Sequence, residues 1–317
     1  MKNKIFMGID TSNYTTSVAF VDGDGQVISE KGKLLTVKHG ERGLRQSDAF
    51  YQHCFNLPEI LEEAGHPIDY DCVSAIGVST RPRNVEGSYM PVFKCGENFA
   101  RFTGTVLKVP VLEFSHQEGH VKAITSFNPV GDQFIAYHLS GGTNEILKIN
   151  TDTDGEMTID IIGKTLDISM GQLIDRVGVK LGLDFPAGQA MDQMALKYLE
   201  KLEKTKEKPQ LTVKPIPLKG LDINVSGIET QLLRNESNYE KGEIAYVLFS
   251  KLVACLEKQI QICKSKYPEL KIVFAGGVSK SRFLRKHLQD QVIFGKYSSD
   301  NAVGTALLAR DKFVEEE

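Results

Sequence analysis

Residues 134–149 read Phe134-Ile135-Ala136-Tyr137-His138-Leu139-Ser140-Gly141-Gly142-Thr143-Asn144-Glu145-Ile146-Leu147-Lys148-Ile149. Phe134 to Leu139 is a short apolar run of strand length, Ser140 to Asn144 is a tight Gly-rich turn, and Glu145 to Ile149 is the returning strand. Thr151-Asp152-Thr153-Asp154-Gly155 turns the chain again, and Met157 to Ile162 supplies a third strand. The N-terminus has the same order. Ile5 to Asp10 reads as a strand, Thr11 to Thr16 as a polar turn, Ser17 to Val21 as its return, Asp22-Gly23-Asp24-Gly25 as a hairpin turn, and Val27 to Leu35 as the third strand. Repetition of one supersecondary unit within a chain is a fold-level signal.

Each triplet leads into further helices and strands. After the first come a helix from Ser47 to Ala64, in which Pro58 marks a break or a new first turn, a buried strand from Val73 to Ser79 and a helix from Met90 to Leu107. After the second come helices at Ile168–Leu183 and Met191–Lys204, a strand and turn at Leu221–Gly227, and a long helix from Tyr239 to Ser265. Ala245, Leu248, Phe249, Leu252, Leu256 and Ile260 form the core face of that helix. Strands at Leu270–Phe274 and Val292–Phe294 precede a last helix, Ala302 to Phe313, for which Asp300 is a natural N-cap. The expected fold is α/β, a duplicated ribonuclease-H-like arrangement of the actin, sugar-kinase and Hsp70 ATPase type, with two lobes and a central cleft. Residues 1–115 form the first lobe, completed by the C-terminal helix at about 298–317, and 116–297 form the second.

The chain has 317 residues, a size that fits two ordinary domains. Hydrophobic residues make up 41%, enough for substantial cores. A net charge of −3 gives no bulk attraction to nucleic acid. The lysines between Lys197 and Lys219 alternate with Glu200, Glu203 and Glu207 and read as a solvated helix end and loop. Five cysteines without a C-x-x-C argue against a disulfide framework or zinc ribbon and fit a reducing compartment. The first apolar stretch is too short for a signal peptide, and no run reaches membrane-spanning length, so a cytoplasmic protein with no membrane partner is expected.

Several segments carry candidate chemistry. His116 and His120 follow the buried run Val109 to Phe114. On a helix they project from one face one turn apart, a spacing that suits a shared metal and also occurs in plain surface pairs. The zinc-protease motif places Glu directly after its first His, and Gln117 stands there instead, so peptidase chemistry is disfavoured. Arg81 and Arg83 lie in a loop ahead of a helix, which makes either an anion site or a turn with solvated charges. The hydroxyl-rich turn containing Ser12 either presents donors to a phosphate or is an ordinary polar hairpin. Gly141-Gly142 and Gly276-Gly277 let backbone approach a phosphate or ribose, and strand, Gly-Gly, helix is a familiar seat for negative charge.

The sequence resembles the TsaD-like threonylcarbamoyltransferases, once described as O-sialoglycoprotein endopeptidases (Gcp). The matching pieces run in family order: Met7 to Ser12, Ser115 to His120, Leu139 to Thr143, Gly163 to Asp167, Asp175-Arg176, Leu181 to Pro186, Asn224 to Thr230, Ala275 to Ser279 and Ser299 to Ala302. The resemblance implies a metal-dependent, adenine-nucleotide-binding transferase. In this family a threonylcarbamoyl group moves from its adenylate to the exocyclic amine of an adenosine in tRNA. His116, His120 and Asp300 match the metal ligands, for one divalent ion, zinc or iron. Ser140, Gly141, Gly142, Thr143, Asn144, Asp175, Gly188, Gly276, Gly277 and Ser281 match the contacts to ATP, ADP, AMP or an acyl-adenylate. Asp10, Ser12, Arg81 and Arg83 are further cleft candidates.

Departures from the family pattern cluster elsewhere. Tyr14 and Thr15 occupy the positions of an acidic pair, Arg81 to Ser88 replaces a Gly-Pro-Gly loop, the segment around His39 to Ser47 replaces a Gly-Gly-Val-Pro-Glu-like loop, Ser281 replaces an Asn, and Glu229 replaces a Lys. The nucleotide and metal halves match while the acceptor side is rebuilt, the pattern of a divergent paralogue with tRNA or another acceptor. A non-catalytic nucleotide-binding scaffold, paired with a second copy or an active paralogue, is the alternative reading. A kinase of the same superfamily needs a catalytic Asp near Arg81 and Arg83 and ranks below both.

Overall fold

The computed structural model describes residues 4–12, 14–37, 44–152, 157–234, 236–297 and 302–315. The chain begins with β1 (Ile5–Asp10), β2 (Thr15–Asp22), β3 (Val27–Leu34), α1 (Gln46–Gly65), β4 (Val73–Arg81), α2 (Phe93–Leu107), β5 (Val111–Ser115) and α3 (His116–Phe127). It continues with β6 (Gln133–Leu139), β7 (Asn144–Thr151), β8 (Met157–Lys164), α4 (Met170–Lys180), α5 (Gly188–Thr205), β9 (Leu218–Lys219), β10 (Asp222–Ile223) and α6 (Ser226–Leu233). The last elements are α7 (Lys241–Lys266), β11 (Lys271–Ala275), α8 (Arg282–Leu288), β12 (Ile293–Phe294) and α9 (Val303–Glu315).

The chain divides into two units. The first takes the described residues within 1–37, 43–128 and 296–317, and the second those within 129–295. The first sheet has the order β3-β2-β1-β4-β5, with β1, β2 and β3 antiparallel and β4 and β5 parallel to β1. The second sheet has the order β12-β11-β6-β7-β8, with β6, β7 and β8 antiparallel and β11 and β12 parallel to β6. Read from the third hairpin strand, both are 3-2-1-4-5. The duplicated ribonuclease-H-like topology expected from the repeated triplet is therefore present in each unit.

In the first unit, alternate residues of the sheet feed two layers. Met7, Ile9, Val18, Phe20 and Val78 pack with Leu57 and Ile60 of α1. Phe6, Ala19, Val21 and Ala75 pack with Ala302, Val303, Ala306 and Leu307 at α9. The α9 backbone lies almost on the sheet because Gly8 and Gly77 have no side chain; a Cβ at Gly8 would collide with the Ala302 carbonyl, and one at Gly77 with the Thr305 carbonyl. A Cβ at Gly304 would likewise strike the Gly119 carbonyl, so α3 and α9 meet backbone to backbone, and Lys122 pairs with Asp311 across them. This contact places α3 in the first unit. The boundary falls after Asn128, where the sequence reading set it at residue 115.

The second unit buries a larger core, in which Tyr137, Leu139, Ile146 and Phe274 of the sheet meet Leu173, Ile174 and Val177 of α4 and Leu248, Phe249, Leu252 and Leu256 of α7. Two local expectations change. Pro58 sits inside a continuous α1 on its exposed side, where the carbonyl it leaves without an N–H partner can turn to water. α4 stops at Lys180 because Gly182 takes φ +86° and closes the helix before Leu183.

Gly8→Ala should lower the unfolding free energy by at least about 2 kcal/mol, since backbone rather than a movable side chain blocks the added methyl. Urea denaturation checks this, and an unchanged midpoint would contradict the α9 packing.

Candidate functional site

The histidine pair is built by the β5–α3 junction. Ser115 caps α3: its side chain accepts from the Glu118 N–H at 3.1 Å, and Glu118 returns a bond from the Ser115 N–H at 2.7 Å. This capping box starts the helix at His116 and fixes both imidazoles on its first turns. Ser115-His116-Gln117-Glu118 carries the S-x-x-E signature of that box, a local signal the metal-centred sequence reading leaves out.

Asp10, at the end of β1, is only 2% exposed. One of its oxygens accepts from the Ser12 N–H at 2.8 Å; the other accepts from the Ser12 hydroxyl at 3.1 Å and faces His116 Nδ1 at 2.8 Å. A carboxylate only accepts, so His116 Nδ1 carries the hydrogen in this contact. In a neutral ring the His116 lone pair then sits on Nε2, which lies 2.9 Å from His120 Nε2. The rings meet edge to face, with centroids 4.3 Å apart, and the Phe93 ring flanks His116 at 6.3 Å. His120 Nε2 then donates to that lone pair, and a buried carboxylate sets the tautomer of His116; two adjacent imidazoles with a supporting carboxylate are the donor groups that a histidine metal site uses once the shared hydrogen is given up. Among the described residues no group of three His, Cys, Asp or Glu side chains forms a ligand set. Asp300, the third expected ligand, lies outside the described residues.

The Arg81–Ser88 loop docks on the same helix start. The Gln117 N–H donates to the Pro82 carbonyl at 3.1 Å, and the Arg83 N–H to the Ser88 hydroxyl at 3.0 Å. Arg81 donates to Thr80 Oγ1 at 3.2 Å and Asn84 Oδ1 at 2.9 Å, and lies 3.9 Å from a Glu118 carboxylate oxygen. Asp10, Ser12, Arg81, His116 and His120 thus gather within the first unit.

The nucleotide candidates gather in the second unit. Ser140 shapes its turn by accepting from the N–H groups of Gly142 and Thr143 at 3.2 and 2.9 Å. The Ser169 hydroxyl, which caps α4, donates to the Gly141 carbonyl at 3.1 Å, and Gly171 has no room for a Cβ against Ser140 and Gly141. The N-terminus of α4 therefore abuts the Gly-Gly turn. Gly276, at φ +88°, brings the β11–α8 turn against the Leu139 carbonyl, where a Cβ would not fit. The Asn144 side chain is 1% exposed, and neither its amide oxygen nor its nitrogen has a hydrogen-bond partner. A buried amide without partners beside a Gly-rich turn fits a polar ligand such as a nucleotide.

Asp175 sits further along α4 and accepts from the Ala187 N–H at 2.8 Å; the Gly188 N–H adds a second bond. Burial outweighs both and pushes its carboxyl up to about 6. The Ser281 hydroxyl is committed elsewhere. It donates to Asp192 at 2.5 Å and accepts from the Leu284 N–H at 3.1 Å, capping α8. Asp192, 6% exposed, also accepts from the N–H groups of Arg282 and Phe283. The sequence reading omits Asp192, although a carboxylate within the buried stripe Met191, Asp192, Ala195, Tyr198 is a visible signal.

Residues 40–307 match the sequence model of TsaD, tRNA N6-adenosine threonylcarbamoyltransferase. The chain belongs to the TsaD family. The tRNA N6-adenosine threonylcarbamoyltransferase of Neorickettsia sennetsu is 29% identical over 302 residues, 92% of this chain and 85% of that protein. The Thermotoga neapolitana protein of the same name is 27% identical over 324 residues, 96% of this chain and 93% of its own. The activator of the 2-hydroxyisocaproyl-CoA dehydratase from Clostridium difficile, solved with bound ADPNP, shares the fold with TM-score 0.55 at 12% identity, covering 98% and 96% of the two chains. Component A of the (R)-2-hydroxyglutaryl-CoA dehydratase of Acidaminococcus fermentans shares it with TM-score 0.53 at 11% identity over 98% and 99%.

Of the positions expected to depart from the family pattern, residues 39–43 of the loop around His39 to Ser47 lie outside the described residues, and others have partners in the structure. Tyr14 accepts through its hydroxyl from the Leu44 N–H at 3.4 Å, and Thr15 opens β2. Glu229 pairs with Arg176 of α4 at 3.3 Å.

The buried Asp175 carboxyl links stability to pH. Its folded pKa lies above the unfolded value of about 3.9, so its contribution is fully present below about pH 4 and is lost as pH rises through about 6. Asp175→Asn should therefore unfold about 1–3 kcal/mol less readily than the parent at pH 7.5, with the gap closing by pH 4. Denaturation curves at the two pH values check this; a gap independent of pH would contradict it.

Proposed function

We propose that this TsaD-family chain is a metal-dependent transferase that moves a threonylcarbamoyl group from its adenylate to the exocyclic amine of an adenosine in tRNA. The observation that carries the reaction class is the family match, which spans most of both units. The amine attacks the carbamoyl carbonyl, the bond to the adenylate phosphate oxygen breaks, AMP leaves, and the amine loses a proton.

His116 and His120 are the metal-holding residues, with Asp300 as the expected third ligand. When bound, a divalent ion there supplies Lewis-acid polarisation of an oxygen on the carbamoyl or phosphate group. Asp10 keeps the Nδ1–H of His116 in place, leaving Nε2 as the donor atom. The Ser140–Asn144 and Gly276–Gly277 turns hold the adenylate, and the α4 N-terminus adds attraction for its phosphate. The Asp175 carboxylate is placed to accept from a ribose hydroxyl. The ADPNP bound by a protein of the same fold supports a nucleotide in this role.

Tyr14, Thr15, Arg81 and Arg83 favour a second reading, the same transfer to a different acceptor. Incubating the metal-loaded chain with threonylcarbamoyl-adenylate and unmodified tRNA separates the two. Threonylcarbamoyl-adenosine in the digested tRNA supports the first reading. AMP release in excess of spontaneous hydrolysis without tRNA modification supports the second. Neither product would overturn both and leave a scaffold. Asp10→Asn should weaken zinc binding about 10–100-fold, measured by chelator competition, while the far-ultraviolet spectrum stays unchanged; unaltered affinity would contradict the orienting role.

A further inference from the structure

Two cysteines stand apart from everything assigned above. Cys54 is exposed on α1, Cys95 is buried on α2, both are free thiols, and their Sγ atoms lie 3.3 Å apart. Of the other cysteines, Cys255 and Cys263 are enclosed in the second unit's core, and Cys72 lies by Asp69. We propose that Cys54 and Cys95 form a reversible thiol–disulfide site whose oxidant is a hydroperoxide.

The two thiols are placed for a division of labour. Exposed Cys54 meets the oxidant; buried Cys95 resolves the product. Burial, with the neighbouring Cys54 thiol, holds the Cys95 thiol well above its ordinary range, so it stays protonated and does not compete with Cys54 for the oxidant. In the first step the Cys54 thiolate attacks the O–O bond. One oxygen becomes the Cys54 sulfenic acid, and the other leaves as alkoxide or hydroxide and takes up the thiol proton. In the second step the Cys95 sulfur attacks the Cys54 sulfur, the S–S bond forms, and the displaced hydroxide leaves as water with the Cys95 proton. Two thiols lose two electrons, and the peroxide is reduced to an alcohol and water, or to two waters. An S–S bond is about 2.05 Å long, so closure needs a shift of about 1.3 Å, within reach of side-chain rotation.

The bond would tie α1 to a helix that supports the histidine pair. The Gly96 N–H donates to Thr11 Oγ1 at 3.2 Å, Thr11 donates to the Val92 carbonyl at 3.0 Å, and Phe93 flanks His116. Thr11 directly follows Asp10. Oxidation therefore acts on the frame of that site without consuming any residue placed in it.

The test uses the full chain and hydrogen peroxide. Free thiols counted after denaturation should fall from five to three, peptide mapping should find Cys54 joined to Cys95, and dithiothreitol should restore all five. Cys95→Ser should instead accumulate a sulfenic acid at Cys54, trapped by dimedone. Cys54→Ser should slow peroxide-driven thiol loss at least tenfold. Oxidation of Cys54 to sulfinic acid with Cys95 still free, or retention of five thiols after peroxide exposure that converts an exposed model thiol completely, would overturn the proposal.

Discussion

Asp10 carries a carboxylate at the end of a central strand with almost no access to water, and the first unit is arranged around compensating it. Burying such a charge without partners costs several kcal/mol. Here the Ser12 N–H, the Ser12 hydroxyl and His116 Nδ1 supply the bonds. The first two are local, a turn folding back on its own side chain. The third spans 106 positions and requires α3 to begin where β5 delivers it. The Ser115–Glu118 capping box fixes that start, and the bare backbone of Gly8, Gly77, Gly119 and Gly304 lets α9 and α3 close over the sheet. A disturbed helix start or an added methyl at these glycines would shift the imidazole that the carboxylate depends on.

The second unit reaches a comparable precision by different means. Its sheet repeats the 3-2-1-4-5 order, but its turns are organised by α4. The N-terminus of α4 presses on Gly141, and its Asp175 holds the start of α5. Asp192 of α5 in turn holds the start of α8 and so anchors the Gly276–Gly277 turn. Three helix starts are thus linked through side-chain oxygens, leaving the Asn144 amide buried and without partners. A polar group kept in that condition costs stability unless a ligand meets it, and Asp175, whose burial opposes ionisation, adds to the cost. Strain of this kind is expected where a site is shaped for something other than its own fold.

Much of this was legible in the sequence because the signals are local. Two triplets of short strands with glycine- and hydroxyl-rich turns specify the repeated sheet, and Gly141-Gly142, Gly276-Gly277 and the His116–His120 spacing locate the candidate chemistry. What was not legible depends on distant partners. The sequence places Asp10 in a cleft but cannot show that it faces His116. It places Ser281 in the nucleotide set without showing that Asp192, 89 positions away, already takes its hydroxyl. The sequence ends the first lobe at residue 115, whereas α3 packs with the first unit, because Gly119 and Lys122 meet Gly304 and Asp311 of α9, partners far along the chain.

In the proposed site, His116 and His120 hold a metal and Asp10 orients the His116 ring. The most direct measurement is the metal content of the purified chain beside that of the His116→Ala, His120→Ala double variant. The account predicts one divalent ion per parent chain and none in the variant, with both retaining the same far-ultraviolet spectrum. Stoichiometric metal in the variant would contradict it.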